Sequence, residues 1–85
     1  MPASKLPENE TIAEFERKLA EITGRTDDLA NRARLMLGLT AGHYYDLRSN
    51  RRELPLYLNR SIRFALAIPT RGFLEIAQYT EREDF

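Results

Sequence analysis

The side chains best equipped for chemistry gather in the middle third of this chain. Arg48, Arg51 and Arg52 fall within five positions, and Arg60 and Arg63 follow three apart. A guanidinium presents a planar fork of donors that suits carboxylate or phosphate oxygens. Thr40, Ala41, His43 and Tyr45 stand just before these arginines and add a hydroxyl, a methyl, an imidazole and a phenol. Residues 41–66 carry five arginines against two acids, although the 85-residue chain as a whole balances 13 basic against 13 acidic residues. The positive excess is therefore local, which disfavours a protein that grips a polyanion by bulk charge. Other chemistries find no support. With no cysteine there is neither a disulfide framework nor a Cys-based zinc site. The single His43 builds no metal site without several carboxylate partners. Ser4, Ser49 and Ser61 lie in no nucleophile motif, and no glycine-rich phosphate loop is present. Enzymatic activity, a metal, a cofactor and a small-molecule ligand are all unexpected.

The elements that must position these side chains are helices. Gly38 can take the positive φ that ends a helix, and Thr40 is an N-cap residue two positions later. Tyr44 and Leu47, three apart, share one face of a short helix over 41–48. Asn50 tolerates the left-handed conformation that follows such a helix, and Pro55 suits the first position of the next. Two helices joined by a three- to four-residue turn containing glycine are the helix-turn-helix plan of many DNA-binding proteins.

The flanking sequence reads the same way. Residues 1–10 hold two prolines and predict a loose tail. Thr11 and Glu14 fit a capping box. Ile12, Phe15, Leu19 and Ile22 form one stripe, and Gly24 ends that helix. Thr26 is the expected cap of a second helix, with Asp27 and Asp28 in its first turn and Leu29, Ala33, Met36 and Leu37 as its apolar face. A fourth helix is expected from Pro55 to Ala67, with Leu58, Ile62, Ala65 and Leu66 inward. Pro69 breaks it, and Thr70 caps a fifth bearing Phe73, Leu74, Ile76, Ala77 and Tyr79. The acidic end, 81–85, is expected to fray. The fold class is all-α, a compact four- to five-helix bundle with one domain over 11–80. No apolar run reaches the roughly 18 residues of a membrane span, and MPASKLPENE has no secretory h-region, so the expected location is the cytoplasm.

The run from Gly38 to Leu58 resembles the helix-turn-helix of the lambda-repressor/Cro (Xre-type) regulators, including small ones of phages and mobile elements. The residues that carry the resemblance are Gly38-Leu39-Thr40, Tyr44, Leu47, Ser49-Asn50, Arg51-Arg52 and Pro55, matched without a gap. The resemblance implies a sequence-specific transcriptional regulator, a repressor or autoregulator, that binds a pseudo-palindromic duplex as a homodimer. The 41–48 helix would enter the major groove, and Thr40, Arg48, Arg51 and Arg52 would hold phosphates. Arg60 and Arg63, on the outer side of the fourth helix, would add backbone contacts. The apolar surface of Phe73, Leu74, Ile76 and Ala77 predicts a dimer interface.

Two departures accompany the resemblance. Arg34 stands where the family has a small residue at the helix crossing. The family's base-reading positions are Ala41, Gly42 and Asp46 here: a methyl that can touch a thymine methyl, no side chain, and a carboxylate that could accept from cytosine N4 but repels phosphate. Base reading would then shift to His43, Tyr45 and Arg48, or rest on DNA shape. Zero net charge and these departures suit a second reading, a protein-interaction module or inhibitor that uses the helical scaffold without touching DNA.

Overall fold

A computed structural model describes residues 8–84 and contains five helices, with no strand among the described residues. They are α1 (Glu10–Thr23), α2 (Leu29–Leu37), α3 (Ala41–Arg48), α4 (Leu56–Ala67) and α5 (Thr70–Asp84). Packing is organised around α1, which lies against each of the other four, while α2 also packs on α3 and α5. The core is Ile12, Phe15 and Leu19 of α1 closed by Ala33, Tyr44, Leu47, Leu58, Ile62, Phe73 and Ala77. The Phe15 and Phe73 rings meet at 5.7 Å in a tilted pair, a favoured aromatic arrangement. No helix among the described residues is long and apolar enough to cross a membrane.

Several helix ends fall where the spacing predicts, and others differ for identifiable reasons. Gly24 and Gly38 adopt φ of 70° and 72° after α1 and α2, the left-handed C-cap that glycine reaches without a Cβ penalty. The α1 cap is not Thr11 but Asn9, whose side chain accepts from the Ile12 amide; Thr11 is buried instead. Thr26 does not cap α2 either: that helix follows Asp28 in the left-handed region at φ 53°, with no side-chain cap bond. Asp27 is drawn away by the Arg25 guanidinium at 2.8 Å, a bond that holds its carboxyl below the ordinary range. Pro55 is the residue before α4 rather than its first, its carbonyl accepting from the Asn59 amide at 2.9 Å.

Both expected tails are shorter than the polar composition suggests. Asn9 and Glu10 belong to the fold, and α5 runs on through 81–84. Glu81 docks on the buried Arg32 at 2.7 Å and on Arg25 at 3.1 Å, so it is a tertiary anchor rather than part of a frayed end. Residues 1–7 of the expected N-terminal tail, and Phe85, lie outside the described residues.

Charged side chains also tie the helix ends together. Lys18 of α1 donates to the carbonyls of Leu66 at 2.5 Å and Ile68 at 2.9 Å. These are orphan acceptors at the end of α4, and the same ammonium lies 5.0 Å from the Phe73 ring centroid. Arg34 bonds Asn31 and reaches over the turn to the Leu39 carbonyl at 3.2 Å. A bulky residue is thus accommodated at the α2–α3 junction by folding along the surface, with its charge spent on a turn acceptor.

Candidate nucleic-acid interface

α3 is bounded as its sequence dictates. The Thr40 hydroxyl accepts from the His43 amide at 3.3 Å and the Thr40 carbonyl accepts from Tyr44. At the other end Asn50 takes φ 62°, and the amides of Arg51 and Arg52 both return to the Asp46 carbonyl, at 2.9 and 3.1 Å. The turn that carries the two arginines is therefore folded onto the last turn of α3. The Asn9 amide also donates to the Arg48 carbonyl at 2.9 Å, which fastens the start of α1 to the end of α3.

Tyr44 and Leu47 are fully buried, as their spacing predicts. The outward face then comprises Ala41, Gly42 and Tyr45, with Asp46 beside them, at offsets of one, four and five from Ala41. Ala41 and Gly42 are exposed and Tyr45 keeps 43% of its surface open. The Tyr45 ring rests edge-on against Tyr44, centroids 5.9 Å apart. His43 is half-buried on the flank between the outward and inward faces.

One contact was not expected. Arg48 is engaged within the fold: its Nε donates to Glu16 Oε2 at 2.8 Å and its Nη2 to Oε1 at 3.2 Å. The fully buried Tyr44 hydroxyl donates to the same Glu16 carboxylate. Glu16 is itself buried in α1, so one carboxylate ties two residues of α3 to α1. Burial, together with the bond to the Glu16 carboxylate, pushes the Tyr44 phenol far above its ordinary range. The bond to Glu16 likewise holds the Arg48 guanidinium above its own. No side-chain polar atom buried among the described residues lacks a partner.

The other expected arginines divide. Arg51 bonds Ser49 Oγ at 3.0 Å and lies 3.5 Å from Asp46, yet its side chain remains 61% exposed. The Arg52 and Arg60 side chains are exposed and engage no described residue. Arg63 is paired with Glu14 at 3.1 Å and reaches Thr11, so it belongs to the α1–α4 contact. Of the residues expected at a dimer interface, Phe73 and Ala77 are spent on the protein's own core and Leu74 is half-buried. Ile76 is exposed, together with Tyr79 on α5 and Leu56, Tyr57 and Phe64 on α4. Ile76 and Tyr57 line one groove together with Phe15, Leu58, Ser61 and Ala65. The described residues contain no group of three metal-ligating side chains. Comparison of the chain with protein-family models, curated proteins and solved structures finds no match.

Proposed function

We propose that the chain is a helix-turn-helix transcriptional regulator of the lambda-repressor/Cro kind, with α2 and α3 as its two motif helices. α3 lies in the major groove, and Thr40, Arg51 and Arg52 hold the phosphates at its two ends. The observation that carries this reading is the outer face of α3. It is exposed, free of large aliphatic groups, and flanked by two solvent-facing arginines whose backbone is pinned to the helix. Arg48 acts as a positioning residue through Glu16, and Arg60 extends the basic footprint. The protein binds a pseudo-palindromic site as a homodimer, and occupancy of a promoter by so small a protein represses, its own gene included. The dimer surface is Tyr57, Phe64, Ile76 and Tyr79, which are 45–73% exposed. Together they offer on the order of 500 Å², against the roughly 800 Å² per partner of a standard interface.

The same apolar surface, on a chain of zero net charge, favours a second reading in which it covers a foreign protein and no DNA is bound. Selection from a random duplex library separates the two. An enriched palindrome is expected, lost when Arg51 and Arg52 are both replaced by alanine. With about four such phosphate contacts per dimer, affinity should fall roughly 100-fold between 50 and 200 mM salt. No enrichment at low salt and micromolar protein would refute DNA binding.

A further inference from the structure

We infer that α3 reads its site through the 5-methyl groups of thymine rather than through hydrogen bonds to guanine or adenine, an inference that rests on the DNA-binding reading above. The bidentate readers of the major groove are Arg or Lys on guanine and Asn or Gln on adenine. α3 presents none of these outward. It contains no Lys, Asn or Gln, and its one arginine, Arg48, is held through Nε and Nη2 on the buried Glu16. Of the other polar side chains, His43 is half-buried on the flank of the helix, and Asp46, which could accept only from cytosine N4, lies beside Arg51 and repels phosphate wherever it is not neutralised.

What α3 does present is low in relief at Ala41 and Gly42, with the Tyr45 ring beside them. The Ala41 methyl and the Tyr45 ring are four apart on one exposed face, and Gly42 beside them leaves nothing within 4 Å of where a Cβ would stand. A helix with so little side-chain height can lie close to the floor of the groove. There a methyl and a ring edge match the one apolar group that base edges carry, the thymine methyl. Tyr45 is braced against Tyr44, and Tyr44 is fixed by Glu16, so the ring is presented in a set position.

The test uses the full chain and duplexes recovered by selection from a random library. Each thymine of the enriched half-site is replaced in turn by deoxyuridine, which deletes only the methyl. At one or two positions per half-site the affinity should drop about four-fold for each methyl removed. Placing 5-methylcytosine opposite guanine at those positions should restore part of the binding relative to plain cytosine. In Ala41→Gly, whose exposed site makes it structurally mild, the uridine penalty opposite residue 41 should shrink toward none, with the helical spectrum unchanged. An enriched site that tolerates uridine throughout, or that is read at guanines, overturns the inference while leaving DNA binding intact. A library that yields no enriched site overturns both.

Discussion

Glu16→Ala tests whether α1 sets the position of α3. The substitution strands the Tyr44 hydroxyl, which is fully buried and has the Glu16 carboxylate as its partner. An unsatisfied buried hydroxyl costs about 1–3 kcal/mol. The Arg48 side chain is 33% exposed and can turn to water, so its share is closer to that of a surface pair, about 0–1 kcal/mol. The expected total is about 1–4 kcal/mol, a large part of the roughly 4–13 kcal/mol available to a domain of this length. The assay is urea unfolding followed by circular dichroism, run as a cycle with Tyr44→Phe. In the phenylalanine background there is no hydroxyl to strand, so Glu16→Ala should cost about 1–2 kcal/mol less there. Equal costs in the two backgrounds, within about 0.5 kcal/mol, would refute the idea that the three residues act as a unit. Glu16→Gln keeps an acceptor and should fall between wild type and alanine.

Four further outcomes are expected. The phenol of Tyr44 stays protonated in the fold while that of the unfolded chain ionises near pH 10; stability should hold below about pH 10 and then fall by up to about 1.4 kcal/mol per pH unit, a decline that Tyr44→Phe removes in urea midpoints measured from pH 9 to 11. Lys18→Met keeps the alkyl stem but loses the bonds to Leu66 and Ile68; it should cost about 1–2 kcal/mol and raise amide exchange around the α4–α5 turn. By contrast, Glu14→Ala, on the exposed Arg63 pair, should cost under about 1 kcal/mol. Ile76→Arg on the exposed face of α5 should leave the melting curve nearly unchanged and shift sedimentation from dimer to monomer; an unaltered dimer would move the interface elsewhere.

Local spacing carries much of this fold, and it fails where a charged partner claims a side chain that spacing assigns elsewhere or leaves unassigned. α3 is legible residue by residue because Thr40, Asn50 and the Tyr44–Leu47 pair are all signals within one or two turns. The start of α2 is not. Thr26, Asp27 and Asp28 are all competent caps, and the choice is made by Arg25, which engages Asp27. The buried ion pairs are the larger omission. Glu16 joins α1 to a residue 32 positions away and Arg32 joins α2 to one 49 away, separations that no periodicity reports. A signal exists nonetheless. Glu16 stands four after Ile12 and three before Leu19, and Arg32 stands three after Leu29 and four before Met36. Each is a charge set inside an apolar stripe, where burial demands a partner. Reading Arg48 as a phosphate ligand and 81–85 as a loose tail both follow from leaving those two charges unassigned.

The central place of α1 has a consequence for how the molecule is made and lost. Since α2, α3, α4 and α5 all lean on it, no adjacent pair of helices owns a core that would persist alone. Of these five helices α1 is made first and covered last, because Phe15 waits for Phe73, which follows 58 positions later. Until α5 is synthesised, the nascent chain presents a greasy helix to its surroundings, the kind of surface that chaperones hold. In the finished protein the same wiring makes melting cooperative. A protease that pulls α5 away uncovers Phe15 of α1 and in the same event strips the buried Arg32 of its carboxylate. Loss of α5 thereby loosens α1, and through it every helix that leans on α1, with no separate signal passing between them.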